Sequence, residues 1–344
     1  MNELRQTATQ LMADNKGLLA ADESSKSAQK RFDSLQIPCT AETRLDYRYL
    51  LFSTPNINQY LSGVILFDET LHQSTPDGMP IPDYLTSLGI IPGIKVDKGL
   101  VELNNFPNET ITEGLDGLQA RCAEYYRLGA RFAKWRAAFS IGPSTPSQGA
   151  LHANLHTMAR YASICQAAGL VPIVEPEILY EGSHTIEQSK IATKQAIDLL
   201  MSMLKAYRVQ LDAVILKTSM VLAGKQTTQS SPEEVATATL EVLLSSADPT
   251  LAGIVFLSGG QTPDQATANL AAIGQLGKQP WPISFSFSRA VQDPVMSTWN
   301  GDKANIAAAQ QVYFRLTERN AKARHGHMPD QPTSFNRVSS SQDS

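Results

Sequence analysis

Short apolar runs, separated by longer mixed stretches, set the rhythm of this chain. The runs fall at 17–21, 63–67, 92–96, 130–134, 171–174, 211–216, 253–257 and 283–287. Continuous apolar runs of about four to six residues suit strands buried on both faces, as in a parallel sheet. Between them the spacing turns helical, most clearly over 115–128, stopped by Gly129, and 148–168, stopped by Gly169. Ser231 ahead of Pro232, followed by Glu233 and Glu234, marks another helix start, and Ser183 and Thr262 are expected caps of the same sort. Eight strand signals, mostly alternating with helices, predict an α/β fold: a single (β/α)8 TIM barrel. A doubly wound sheet is the alternative, but neither G-x-G-x-x-G nor G-x-x-x-x-G-K-[ST] occurs. No linker rich in Pro, Gly or Ser divides the interior. The barrel is therefore expected over 1–325, with a flexible polar C-terminal tail over 326–344.

Composition narrows the function classes. A hydrophobic fraction of 42% in 344 residues supports a large core and excludes disorder of the whole chain. The formal charge of −4 argues against a nucleic-acid binder of the basic-patch kind. Cys39, Cys122 and Cys165 form no C-x-x-C, which disfavours a disulfide framework or a cysteine zinc site and suits a reducing cytosol. The start Met1-Asn2-Glu3-Leu4-Arg5-Gln6 is no signal peptide, and 18 consecutive apolar residues occur nowhere, so no membrane partner and a cytoplasmic location are expected. His152 and His156 are four apart on an expected helix but lack the glutamate of a zinc-protease motif. They read as surface or interface side chains. His72 and His184 are isolated, and His325 and His327 fall at the tail, so no metal site is expected.

Candidate chemistry gathers where the apolar runs end. In order stand Asp22, Asp68 with Glu69, Lys95 with Asp97, Lys134 with Arg136, Glu175 with Glu177, Lys217, Ser258 and Arg289. The C-terminal ends of barrel strands carry the active site, and residues two apart in a strand share a face. Ordinary salt bridges closing the barrel mouth would explain any one of these residues. They explain six strands at once poorly, because an unpaired buried charge is costly. Asp22, Glu175 and Glu177 stand against Lys95, Lys134, Arg136, Lys217 and Arg289, a surplus of two positive charges that implies an anionic ligand. Ser258-Gly259-Gly260-Gln261 after the seventh run and Arg289 after the eighth sit where barrels bind phosphate. Two lysines deep in a barrel suggest an amine attacking a carbonyl, since desolvation and a neighbouring cation both lower a lysine pKa. Glu175 or Glu177 would move the protons. Spacing alone leaves open which lysine is the nucleophile.

From about Leu11 to about Arg319 the chain resembles the class I, Schiff-base-forming fructose-bisphosphate aldolases. The resemblance is carried by Leu18-Leu19-Ala20-Ala21-Asp22-Glu23-Ser24, Gly93-Ile94-Lys95-Val96-Asp97-Lys98-Gly99, Gly114-Leu115-Asp116-Gly117-Leu118 and Phe132-Ala133-Lys134-Trp135-Arg136. It continues through Arg160-Tyr161-Ala162-Ser163-Ile164-Cys165-Gln166, Val171-Pro172-Ile173-Val174-Glu175-Pro176-Glu177-Ile178-Leu179 and Phe256-Leu257-Ser258-Gly259-Gly260-Gln261. It implies reversible cleavage of fructose 1,6-bisphosphate to dihydroxyacetone phosphate and glyceraldehyde 3-phosphate, without metal or other cofactor. By the same resemblance Lys217 is the Schiff-base lysine, Glu175 the general acid/base with Glu177 in support, Asp22 the group handling the hydroxyl proton, and Lys134 the second lysine. Ser258, Gly259, Gly260, Ser286 and Arg289 match one phosphate site, and Arg31, Lys95 and Arg136 match the side of the other. Family members are often homotetramers, so a homo-oligomer is implied. Three departures stand out. Lys217-Thr218-Ser219-Met220 replaces Lys-Pro-Asn-Met of the animal members, Ser286-Phe287-Ser288-Arg289 replaces Ser-Tyr-Gly-Arg, and the chain ends Gln342-Asp343-Ser344 instead of in tyrosine. The alternatives are a related Schiff-base or transaldolase-like enzyme on another sugar phosphate, and a non-catalytic sugar-phosphate binder.

Overall fold

The computed structural model describes residues 2–327. The chain runs α1 (Asn2–Leu11), β1 (Gly17–Ala21), α2 (Ser25–Asp33), α3 (Ala41–Phe52), β2 (Leu61–Leu66), α4 (Asp68–Leu71), α5 (Ile81–Ser87), β3 (Ile91–Lys95), β4 (Gly99–Glu102) and β5 (Thr110–Glu113). It continues α6 (Leu118–Arg127), β6 (Phe132–Phe139), α7 (Gln148–Ala167), β7 (Val171–Ile178), α8 (Ile186–Ala206), β8 (Ile215–Thr218) and α9 (Pro232–Ser246). The last elements are β9 (Gly253–Phe256), α10 (Pro263–Gln275), β10 (Ile283–Phe285), α11 (Arg289–Trp299) and α12 (Ile306–Ala323). All eight apolar runs supply strands of one parallel sheet, in the order β1-β2-β3-β6-β7-β8-β9-β10, which curls into the expected barrel. The antiparallel β4–β5 hairpin is additional; its half-exposed residues carry no apolar run to announce it.

Differences from the sequence pattern have local causes. β6 and β7 outrun their apolar runs because Lys134, Arg136, Glu175 and Glu177 lie within the ladder, with Arg136 opposite Glu175. The sixth run opens with a 3₁₀ turn, Leu211–Ala213, and becomes strand only from Ile215. The cap of α8 is Thr185, not Ser183, because Thr185 and Gln188 satisfy each other's backbone N–H in a capping box that Ser183, with Ile186 three residues on, cannot form. Ser231 with Glu234 and Thr262 with Gln265 cap α9 and α10 as expected.

The barrel interior is a compact apolar set, including Leu18, Ala20, Ile65, Phe132, Val171, Ile173, Ile215 and Val255. Its lower end is stoppered by Leu4, Ala8 and Leu11 of α1 and by Met12 just beyond it. Gly63 and Gly253 make room for that stopper, since a Cβ there would lie 2.7 Å from Leu11 and 2.6 Å from Met12. A second, larger core fills the layer between strands and outer helices. The seam lies between β1 and β10, which are the two ends of the strand order. There Ala20 N–H donates to Phe287 O at 3.2 Å and Ser284 Oγ donates to Lys16 O at 2.6 Å.

The expected tail begins inside the described residues: Gln275 Nε2 donates to Gly326 O, and His325 lies 3.2 Å from Asp14. From residue 328 the tail falls outside them. Among the described residues no helix is long and apolar enough to cross a membrane.

Candidate active site

The strand ends converge on a cleft of about 1130 Å³ at the C-terminal face of the barrel. Period-two alternation turns Lys134 and Arg136 of β6 inward while Trp135, between them, points out and stacks on Tyr161 of α7. Glu175 and Glu177 of β7 and Lys217 of β8 join them on the lining.

Glu175 sits between the two lysines. Its Oε1 is 3.2 Å from Lys217 Nζ and its Oε2 is 3.3 Å from Lys134 Nζ. Lys134 is held on its other side by Asp22, at 2.6 Å. All four side chains are buried. Burial pushes the Asp22 carboxyl up, but Lys134 and Lys217 outweigh it and hold Asp22 below the usual carboxylate range. Glu175 is likewise held down, because Lys217, Lys134 and Arg136 overcome its burial. Desolvation was expected to lower the lysines. For Lys134 the opposite results: burial pulls it down, yet Asp22, Glu175 and Asp97 more than compensate and raise it, so it is a fixed cation. Although 3.3 Å from Lys134, Glu175 Oε2 accepts no hydrogen bond of good geometry and is a buried acceptor without a partner.

A second row of ion pairs lies beside the first. Arg136 Nε meets Glu177 Oε2 at 2.5 Å, and Lys95 Nζ meets Asp97 Oδ1 at 2.5 Å. Asp97 also accepts from the backbone of Gly99 and Arg136. The surplus of two cations expected from the strand ends therefore shrinks: eight cationic side chains and seven carboxylates line the cleft.

Of the expected phosphate residues, Ser258, Gly259, Ser286 and Arg289 line the cleft, together with Ser288. Gly259 and Gly260 have φ of +56° and +91°, which side-chain-bearing residues adopt at a cost. Gly260 stands behind the lining; a Cβ there would lie 3.6 Å from an Arg289 guanidinium nitrogen. The Ser286 hydroxyl is buried and without a partner, as an anion acceptor would leave it. Arg31 is not on the cleft wall. Its guanidinium pairs with Glu23 at 2.6 Å and Asp293 at 2.8 Å. Asp68 lines the cleft, whereas Glu69 is drawn aside by Arg44 and Arg48.

Sequence reasoning missed Glu23, Lys26, Ser27 and Lys98 on the lining. The signal was present: Asp22 runs directly into α2, whose cap is Ser24, so the first turn of that helix overlooks the cleft. His152 and His156 are exposed on α7, away from the cleft, and among the described residues no group of three or more His, Cys, Asp or Glu is placed to hold a metal ion.

A carboxylate wedged between two buried amines, facing phosphate-type loops, is the equipment for imine chemistry on a sugar phosphate. The class I fructose-bisphosphate aldolase family profile matches residues 3–342. The chain belongs to the class I fructose-bisphosphate aldolases. A protein of the family named probable fructose-bisphosphate aldolase class 1, from Xanthomonas axonopodis pv. citri, is 49% identical over 328 residues, covering 95% of this chain and 98% of its own length. The cytosolic fructose-bisphosphate aldolase 6 of Arabidopsis thaliana is 46% identical, covering 94% and 91%. In three dimensions the chain matches the Plasmodium falciparum fructose-bisphosphate aldolase, solved in complex with TRAP and a small-molecule inhibitor. The TM-score is 0.94, the identity 44% and the coverage 96% of each chain. One family departure can now be placed. Thr218 is buried with its hydroxyl unpartnered, and Ser219 Oγ donates to Ile178 O at 2.9 Å.

Proposed function

We propose that Lys217 is the amine through which this class I aldolase works and that Lys134 is its permanent neighbouring cation. The observation that carries the assignment is the asymmetry between the lysines. Lys134 is pinned by Asp22 and Glu175 together, whereas Lys217 meets Glu175 alone. Glu175 takes a proton from the Lys217 ammonium, and the free amine adds to the substrate carbonyl. Glu175 then returns a proton to the carbinolamine hydroxyl, which leaves as water, and the protonated imine remains. Asp22 accepts the C4 hydroxyl proton while the C3–C4 bond breaks and its electrons flow to the imine nitrogen. Glyceraldehyde 3-phosphate departs. Reprotonation of the enamine and hydrolysis then release dihydroxyacetone phosphate and the amine. Glu177 supports the site by fixing Arg136. The cycle uses neither metal nor cofactor, because the imine itself is the electron sink.

One phosphate is received by Ser258, Gly259, Ser286 and Arg289, with Gly260 shaping the loop behind them. The other is received across the cleft, where Lys26, Ser27 and Lys98 add to Lys95 and Arg136, whose charges Asp97 and Glu177 already engage. Arg31 acts there only through Glu23. A cytosolic setting is supported by the relatives named cytosolic, and a homo-oligomer by the family; residues 328–344 are assigned to a flexible tail by composition. Borohydride reduction in the presence of dihydroxyacetone phosphate tests the central assignment. The trapped mass maps to the peptide carrying Lys217, and an adduct on Lys134 would overturn it.

A further inference from the structure

The two ends of the site lie on opposite sides of the barrel seam. Asp22 follows β1, and Arg289 opens α11 four residues after β10. Elsewhere in the barrel a ladder of backbone hydrogen bonds fixes neighbouring strand ends relative to one another. Among the described residues no β1–β10 ladder closes the seam, and its upper half is crossed by the backbone hydrogen bond from Ala20 N–H to Phe287 O. Something else must hold the register of the two ends.

A cluster of polar side chains sits at that place. Gln292, one turn into α11 and fully buried, donates from Nε2 to Ala20 O at 2.5 Å, to Glu23 Oε1 at 2.8 Å and to Ser288 Oγ at 3.2 Å. Ser288 occupies the cap position of α11, yet its hydroxyl does not cap the helix; it donates to Glu23 Oε1 at 2.8 Å. Arg31 completes the cluster, donating to Glu23 Oε1 at 2.6 Å and to Gln292 Oε1 at 3.4 Å, with Asp293 on its other arm at 2.8 Å. Every donor converges on one carboxylate oxygen of the residue that follows Asp22.

We infer that Gln292 and Ser288 are positioning residues for the cleavage step: with Arg31 they clasp Glu23 across the seam, and so fix Asp22 relative to the phosphate-binding start of α11. The inference rests on the aldolase reading above. A substrate anchored by its phosphate at Arg289 must present its hydroxyl to Asp22, and a shift of about 1 Å between the two anchors can cost about 100-fold in rate. Imine formation at Lys217 and Glu175 takes place on β7 and β8, whose register the ladder already holds. Loosening the clasp should therefore uncouple bond cleavage from imine formation.

The experiment compares Gln292→Met and Ser288→Ala with the full-length wild-type chain in two assays. The first is the rate of borohydride trapping with dihydroxyacetone phosphate, which reports the imine without carbon–carbon cleavage. The second is kcat for fructose 1,6-bisphosphate cleavage, with its pH profile. Trapping is expected within about threefold of wild type, while kcat falls about 10- to 100-fold. Ser288→Thr, which keeps the hydroxyl, recovers most of what Ser288→Ala loses. Equal losses in both assays, or no loss in either, would overturn the inference, as would a failure of Ser288→Thr to recover kcat. Absence of any adduct in the wild-type chain is the separate result that would overturn the Schiff-base reading, and the inference with it.

Discussion

Replacing Arg289 by alanine isolates the contribution of one cation to phosphate recognition. Arg289 is exposed, lines the cleft and is the first residue of α11. Among the described residues no carboxylate lies within the 4.0 Å of an ion pair to its guanidinium, so truncation leaves no buried partner uncompensated. Stability should therefore stay within about 0.5 kcal/mol of wild type, as for most surface substitutions. A charge-assisted hydrogen bond contributes roughly 1.5–3 kcal/mol, and each 1.4 kcal/mol is tenfold, so losing one such bond to a phosphate weakens productive binding about 10- to 100-fold or somewhat more. A forked contact would push the loss toward the upper end. Steady-state kcat/KM for fructose 1,6-bisphosphate, fructose 1-phosphate and fructose 6-phosphate provides the reading. The bisphosphate and the monophosphate carrying the group received here lose activity together. The other monophosphate, which never made the contact, is nearly indifferent. Borohydride trapping at saturating substrate persists, since the amine is untouched. Equal losses with all three substrates would refute the phosphate assignment and make Arg289 a support of the fold or of the other phosphate.

Further outcomes follow from the same geometry. Lys217→Met should lower kcat by about 10⁴-fold or more and abolish borohydride trapping, because no other amine gives the imine; retention of the adduct would refute the assignment. Lys134→Met leaves Asp22 and Glu175 buried without their shared cation, a loss of about 3–5 kcal/mol at pH 7. The sign with pH is fixed by the shifts. The two depressed carboxyls stabilise the fold above the ordinary carboxylate range, near pH 4, and lose that contribution as pH falls through their lowered values. The raised Lys134 contributes below its ordinary value of 10.5 and loses that contribution only at higher pH still. Urea titrations should thus show a Lys134→Met penalty that is large at pH 7 and shrinks toward pH 3; a penalty independent of pH would refute its electrostatic origin. Activity should survive prolonged EDTA treatment unchanged, and a loss restored by zinc would sink the metal-free cycle.

How much of this was legible in the chain depends on the kind of order involved. The eight strands were readable because burial on both faces demands unbroken apolar runs, and Lys134, Arg136, Glu175 and Glu177 could be placed on the inner face by counting in twos. The capping boxes at Thr262 and Ser231 were readable because their partners lie three residues away. Pairings across the fold were not. Nothing local in Arg31 reveals that Glu23 and Asp293 hold it off the cleft, or that three carboxylates reverse the effect of burial on Lys134. The β4–β5 hairpin escaped because half-exposed strands need no apolar run. Lys26 and Lys98 escaped because a lone lysine beyond a strand end reads like any solvated side chain.

The helix that stoppers the barrel floor has a consequence for the order of events during synthesis. α1 is synthesised well before β7, β8 and β9, yet the socket for Leu4, Ala8, Leu11 and Met12 is built in part from Val171, Ile173, Ile215 and Val255, far along the chain. Its apolar stripe must therefore wait, exposed, through most of translation, held only by its own marginal helicity. Contacts of such long sequence separation form slowly, and exposed apolar segments on unfinished chains favour aggregation. Docking of α1 is thus among the closing steps of folding, and until then its apolar face is a site of aggregation risk.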